Sequence, residues 1–270
     1  MRWSRLAESV GRGLRTWQIV YMVVFAVFST LANLDNGVGA IWLGLLYILL
    51  SIGSLIVLLP HFRRTLFRPD DPLRSGRLSG IARVAWSLYL YIAFPLAAIG
   101  FLQLFSAVTG MFLQFNESNV SSNPSIADYL VAVVAGLEEL WRWSMVGTVI
   151  VVLRRLLHSK WHLRSTRTAA FATGFVMSSL AFGAGHIFEF QSHLVRAWLL
   201  FSLLGAVLAL FTIITGRIVL TMAIHSGYDL WITWISSPHT NGSLAGLMLV
   251  VLLAVAMITL IFRKAIFYRI

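Results

Sequence analysis

Long apolar stretches recur along this chain and constrain its fold more than any other feature. Eight of them hold roughly the 20 apolar residues that a helix needs to cross a bilayer. They are residues 17–34, 38–60, 84–114, 126–153, 169–190, 196–215, 218–236 and 244–262. A chain that is 59% hydrophobic and 11% charged is too apolar for a soluble domain. We predict an all-α polytopic transmembrane helix bundle of about eight spans, with residues 1–270 forming a single membrane domain.

The basic residues are distributed unevenly between the connecting segments. Nineteen of the 21 Lys and Arg lie in alternate segments: the N-terminus, residues 61–83, residues 154–168, Arg217 and the C-terminal end. The positive-inside rule then places both termini in the cytoplasm. Because the charges alternate with spans and form no single patch, the net charge of +11 reflects orientation in a membrane. The predicted partner is therefore membrane lipid, and no nucleic acid is expected.

Charged residues inside the stretch 126–153 are the first sign of chemistry. Glu138, Glu139 and Arg142 lie there among apolar residues, and charge at that depth is costly and usually functional. On a helix Glu138 and Arg142 share a face, whereas Glu139 is turned away by about 100°. We expect Arg142 to pair with Glu138 or with Asp229. The simpler alternative is a buried ion pair that only fixes helix packing.

Two histidines occupy later spans. His186 follows Gly183, Ala184 and Gly185, whose small side chains would let a neighbouring backbone approach closely. His225 and Asp229 stand one turn apart on one face of the stretch 218–236. Each histidine alone is more often a hydrogen-bonded packing residue. Carboxylates and imidazoles on three spans together favour a hydrolytic or metal-binding centre.

The order of these motifs resembles the CPBP family of intramembrane proteases. That family includes CAAX prenyl endopeptidases and bacterial bacteriocin-immunity and abortive-infection proteins, and residues 126–236 carry the resemblance. Its pattern is Glu-Glu-x-x-x-Arg, Phe-x-x-x-His and His-x-x-x-Asn/Asp. This chain departs in two places: the first motif, Glu138 to Arg142, is one residue shorter, and Asp229 stands where Asn is commoner. Both departures lean toward a related glutamate protease family that trims anti-sigma factors, whereas Phe182-x-x-x-His186 favours CPBP.

The resemblance implies an intramembrane endopeptidase of the bacterial cytoplasmic membrane, acting on a membrane-embedded or lipid-anchored peptide substrate. Glu138 would be the general base, His186 would hold the attacking water, and His225 with Asp229 would bind the oxyanion. Glu139 and Arg142 complete the expected catalytic set. The family has been interpreted both as zinc enzymes and as metal-free glutamate proteases, so zinc held by Glu138, His186 and His225 and no metal at all are equally expected. The absence of cysteine leaves only His and carboxylate as protein ligands.

Several alternatives stay open from the sequence alone. The polar residues could line an ion or proton path, or the chain could be an inactive CPBP-like immunity or scaffold protein. A local cluster of His186, Glu189 and His193 could also bind a metal. Finally, the depth of His186 matches that of Glu138 only if its span begins near Ser165 or is tilted.

Overall fold

The structure is a computed structural model that describes residues 2–34, 40–66, 80–109, 124–187 and 193–235. All regular secondary structure within these ranges is helical. The helices are α1 (Arg2–Val10), α2 (Thr16–Leu34), α3 (Ala40–Val57), α4 (Leu59–Thr65), α5 (Gly80–Leu88), α6 (Phe94–Thr109), α7 (Ile126–Ala135), α8 (Glu138–Leu156), α9 (Arg164–Gly185), α10 (Leu194–Thr215) and α11 (Ile218–Ile235). A π-helical turn at Tyr89–Ala93 joins α5 to α6. The predicted all-α class is confirmed.

Three described helices are long and apolar enough to cross a membrane: Gly80–Thr109, Arg164–Gly185 and Leu194–Thr215. A fourth span arises if the pair Trp42–Val57 and Leu59–Thr65, bent by 51°, crosses as one unit. These helices support a multi-pass membrane protein. The number of eight spans and the orientation of the termini stay predictions, and the expected span 244–262 lies outside the described residues.

The chain divides into two compact units, each described by itself. Unit 1 comprises Met1–Phe67 and Leu137–Thr221, and unit 2 comprises Arg68–Gly136 and Met222–Ile270. In unit 1, α9 packs between α8 and α10, and α2 packs against α8. The core of this unit is built from large apolar side chains on these helices: Met22, Phe25, Leu140, Trp141, Trp143, Ile150, Phe171, Phe182, Leu204 and Leu208.

An amphipathic helix at the N-terminus, α1, packs on unit 1. Leu6, Ala7 and Val10 are buried at the helical spacing that produces one apolar face. The indole of Trp3 packs on α9, with its ring centroid 5.5 Å from that of Phe171. Sequence analysis assigned this segment only positive charge, because its apolar residues are too few to form a span.

Glu8 ties α1 to the ends of α8 and α9. Its carboxylate accepts a hydrogen bond of 2.8 Å from the Trp161 indole N–H and pairs with Arg12. Arg167 of α9 lies 3.5 Å from the same carboxylate, and Arg154 of α8 lies 4.0 Å away. Burial raises the pKa of Glu8, but the Trp161 hydrogen bond and the charges of Arg12 and Arg154 outweigh burial and hold that pKa below its ordinary value.

The predicted continuous span 126–153 is wrong in one respect: its helix breaks at Gly136 and Leu137. α7 ends at Ala135, and a new helix begins at Glu138. The backbone N–H of Gly136 donates to the Ser226 hydroxyl at 3.2 Å, and a Cβ at Gly136 would collide with the backbone of Met222. Glycine also lowers the helix propensity at this point. The break makes Glu138 the first residue of α8.

The helix that carries His186 begins earlier than the predicted span 169–190. α9 starts at Arg164 and ends at Gly185, so His186 lies just after its last turn. This start agrees with the alternative near Ser165, which the depth of His186 required.

Candidate active site

Arg142 is held by two other groups of unit 1 and not by Glu138. Its Nη1 donates to Glu139 Oε1 at 2.6 Å, and its Nη2 donates to the carbonyl oxygen of Gly205 in α10. The guanidinium also lies 4.6 Å from the centroid of the Phe182 ring. The side chains of Arg142 and Glu139 are 2% and 0% exposed.

The predicted pairing of Arg142 with Glu138 is therefore wrong, and its alternative partner, Asp229, belongs to unit 2. Residues three apart on a helix are neighbours, just as residues four apart are, so either glutamate can reach Arg142. Glu139 faces the packed interior, where the guanidinium also reaches Gly205. A buried cation is stabilised there only by a buried anion and further hydrogen bonds, and Glu139 supplies that anion.

Glu138 instead faces His186. Its Oε2 lies 3.9 Å from His186 Nε2, and the two side chains are 20% and 15% exposed. The Oε2 atom is buried and has no hydrogen-bond partner among the described residues. The distance exceeds that of a direct hydrogen bond. The structure therefore brings two of the predicted site residues together where the start of α8 lies beside the end of α9.

The ring of His186 is held by two aromatic rings and by a hydrogen bond at one nitrogen. Nδ1 contacts the carbonyl oxygen of Phe182 at 2.7 Å, and because a carbonyl only accepts, Nδ1 carries the proton. The Phe201 ring of α10 stacks on the imidazole with centroids 4.8 Å apart and planes inclined by 12°. The Phe182 ring lies 4.3 Å away. In the neutral imidazole this arrangement leaves Nε2 as an acceptor that points toward Glu138.

His225 and Asp229 lie in unit 2, on α11. His225 Nε2 is 3.7 Å from Asp229 Oδ2, so the two residues share a face as predicted. His225 is buried.

The three residues between His225 and Asp229 contact other helices of unit 2. The Ser226 hydroxyl donates to the Val133 carbonyl oxygen at 2.7 Å, and the Tyr228 hydroxyl lies 2.5 Å from that of Ser106. A Cβ at Gly227 would come within 2.9 Å of the Ile99 side chain. Ser226, Gly227 and Tyr228 thus anchor the helix, while His225 and Asp229 share its other face.

Phe201 and Gly205 of α10 contact site residues, and sequence analysis missed both. Neither belongs to a motif of titratable residues. The available signal was Gly205 within an apolar helix, since small residues there often mark close approach of another element. The same argument did succeed on α9: a Cβ at Gly183 would collide with Ser202 and with the carbonyl oxygen of Trp198, as the predicted close approach requires.

Zinc was predicted to be held by Glu138, His186 and His225. In unit 1, Glu138 and His186 supply two donors, whereas catalytic zinc sites usually have three protein ligands. Within the described ranges, no group of three or more His, Asp or Glu is arranged to hold a metal. The proposed third ligand, His225, belongs to unit 2. In the alternative cluster, Glu189 lies outside the described residues. The described residues of unit 1 therefore supply two of the three protein ligands that a catalytic zinc site usually has, and the expected zinc stays a proposal.

Part of the chain matches a known protein family. Residues 122–231 match the family model described as type II CAAX prenyl endopeptidase Rce1-like. No curated protein and no solved structure matches the chain. The matched segment contains all six predicted site residues, from Glu138 to Asp229. Residues 122–231 are thus similar to the CAAX prenyl endopeptidases, in agreement with the resemblance of the three motifs to the CPBP family of intramembrane proteases.

Proposed function

We propose that this chain is an intramembrane endopeptidase in which Glu138 and His186 activate a water molecule. The observation that carries the proposal is the pair of facing acceptors, Glu138 Oε2 and His186 Nε2, 3.9 Å apart. One molecule that donates two hydrogen bonds can bridge two acceptors at this separation. A water about 2.8 Å from each atom meets that requirement.

The proposed reaction follows from these two groups. The water oxygen attacks the carbonyl carbon of the scissile peptide bond while Glu138 accepts one of its protons. His186, with Nδ1 bonded to the Phe182 carbonyl oxygen, orients the water through its Nε2. Collapse of the tetrahedral intermediate breaks the C–N bond, and the proton held by Glu138 passes to the leaving amine.

The roles of His225 and Asp229 rest on the family resemblance. His225 is proposed to stabilise the oxyanion of the intermediate by a hydrogen bond. Asp229, whose Oδ2 lies 3.7 Å from His225 Nε2, would orient that imidazole.

The proposed substrate is a lipid-anchored peptide, in particular a prenylated C-terminal segment of the kind named in the family description. Such a substrate would present its scissile bond from the membrane, in keeping with a site built on apolar helices. The bacterial cytoplasmic membrane remains the proposed location.

Cleavage by the reconstituted protein tests the proposal. A prenylated CAAX peptide carrying a fluorophore and a quencher is added to proteoliposomes that contain the full chain. Glu138→Gln and His186→Gln should each lower kcat by about 10²–10⁴-fold, the usual contribution of a general base. Asp128→Asn and His162→Gln change an exposed carboxylate and an exposed histidine in the same way and should leave kcat unchanged.

The outcome separates the enzyme from the alternatives. Full cleavage by Glu138→Gln would overturn the assignment of the general base. Absence of cleavage by the unaltered protein, with this peptide and its non-prenylated counterpart, would favour a non-proteolytic immunity, scaffold or ion-path role.

A further inference from the structure

Helix α10 carries none of the three motifs, yet it contacts the candidate site at two positions one turn apart. Phe201 stacks on the imidazole of His186, and the Gly205 carbonyl oxygen accepts a hydrogen bond from Arg142. Both residues belong to unit 1, as do His186 and Arg142.

Phe201 restricts the orientation of His186. The two rings are nearly parallel, at 12°, with centroids 4.8 Å apart, and Phe201 is buried. A hydrogen bond at Nδ1 fixes one point of the imidazole but still allows the ring to tilt about that bond. The stacked ring of Phe201 and the nearby ring of Phe182 limit this tilt and keep Nε2 directed toward Glu138.

The absence of a side chain at Gly205 leaves room for Phe182 and Arg142 beside α10. A Cβ there would lie 2.9 Å from the Phe182 ring and 3.2 Å from Arg142 Nη2. Real Cβ atoms rarely come so close, so any larger residue would displace Phe182, Arg142 or both. Because the Phe182 carbonyl oxygen is the partner of His186 Nδ1, such a displacement would reach the imidazole.

The position of α10 itself is fixed by α9. The Trp198 indole N–H donates to the Leu180 carbonyl oxygen at 2.9 Å, and Gly183 leaves room for the backbone of α10. The two helices are therefore held in register beside the candidate site, independently of Phe201.

We propose that Phe201 and Gly205 are positioning residues, through which α10 sets the orientation of His186 Nε2 toward Glu138. This inference rests on the proposed function for its effect on catalysis. Its effect on the imidazole does not depend on that function.

The test combines a spectroscopic and a kinetic measurement on the full chain. The spectra are recorded at one pH on protein labelled at its seven histidines, with His186 assigned by the loss of its signals in His186→Gln. Stacking places the carbon-bound protons of His186 in the ring current of Phe201, and nitrogen-15 shifts distinguish its two tautomers. Phe201→Leu should remove the ring-current shift, whereas Phe201→Tyr should keep it. Leu203→Ala, at an exposed position of the same helix, should change neither signal.

Kinetics on the prenylated reporter peptide complete the test. Phe201→Leu and Gly205→Ala should lower kcat by about 10–100-fold with little change in KM, since displacement of a reacting group by about 1 Å has effects of this size. Phe201→Tyr, which keeps the stacked ring, should retain most of the kcat of the unaltered protein. If the His186 signals in Phe201→Leu equal those of the unaltered protein, the proposal is overturned, even if Gly205→Ala does not fold. If the signals change as expected but no variant and no unaltered protein cleaves the peptide, the positioning role stands and the proposed function fails.

Discussion

Glu139 Oε1 and Arg142 Nη1 form an ion pair of 2.6 Å in which neither side chain has appreciable contact with solvent. The pair lies one residue beyond Glu138, whose carboxylate faces His186 instead. Adjacent glutamates are thus assigned to different neighbours: one is bound to a cation inside the protein, and the other faces an imidazole.

Arg142→Leu should destabilise the protein by about 3–5 kcal/mol, because it leaves Glu139 buried without its cation. Arg142→Lys should fall between this variant and the unaltered protein, since lysine keeps the charge but lacks the planar fork that reaches both Glu139 and Gly205. Denaturant unfolding in detergent measures both. The double variant Glu139→Leu/Arg142→Leu, which removes both charges, should recover much of the loss. Equal stability of Arg142→Leu and the unaltered protein would show that the pair is not formed.

The two glutamates should respond differently to the same substitution. Glu139→Gln should lower stability, because the buried guanidinium loses its negative partner, whereas Glu138→Gln should leave stability within about 0.5 kcal/mol and remove cleavage. Unfolding curves and peptide cleavage are measured on each variant. The reverse pattern, with cleavage lost only in a fully stable Glu139→Gln, would move the general base to Glu139.

The contacts of Glu8 predict an acid-sensitive contribution to stability. Its folded pKa is depressed below the ordinary value of 4.5, so the contribution is present above that pH and is lost as the pH falls through the folded value. Glu8→Gln should cost about 0.5–1 kcal/mol at pH 7, an amount expected for a partly exposed network. Melting temperatures between pH 7 and pH 3 should converge for Glu8→Gln and the unaltered protein. A constant difference over this range would contradict the prediction.

Close helix packing at Gly183 can be tested with a matched glycine. Gly183→Ala should destabilise the protein by about 1–3 kcal/mol, because its methyl group would collide with the backbone of α10. Gly44→Ala is the control, since a Cβ at Gly44 meets nothing within 4 Å. Thermal unfolding should show a loss for the first variant and little change or a small gain for the second.

Membrane orientation is a further prediction that labelling can decide. The chain has no cysteine, so single cysteines can be introduced without background. Ser159→Cys, near the start of α9, should react from the cytoplasmic side, and Ser118→Cys should react from the opposite side, as the distribution of Lys and Arg requires. Labelling of Ser118→Cys from the cytoplasm alone would refute the predicted orientation.

Local sequence patterns predicted the helices more successfully than they predicted contacts between helices. The apolar stretches 17–34, 196–215 and 218–236 form the helices Thr16–Leu34, Leu194–Thr215 and Ile218–Ile235, because a continuous apolar run largely determines such a helix. The shared face of His225 and Asp229 also follows from local spacing.

Features that depend on distant residues were not predicted. The break at Gly136 involves Ser226, which is 90 residues away in the sequence. Arg142 forms its ion pair with Glu139 while it also donates a hydrogen bond to Gly205, which is 63 residues away in the sequence. Helical spacing allowed either glutamate to reach the guanidinium, whose position is also fixed by its hydrogen bond to Gly205 of α10.

The attachment of α1 has a consequence for biosynthesis. Glu8 and Trp161 are hydrogen-bonded across 153 residues of sequence, so α1 leaves the ribosome long before its partners on α8 and α9 exist. During that interval its apolar face, with Leu6 and Val10, is uncovered beside exposed arginines, and a basic amphipathic helix of this kind adsorbs to a membrane surface. Docking of α1 therefore has to wait until α8 and α9 have been synthesised, and it would exchange a membrane-adsorbed helix for one held by Glu8.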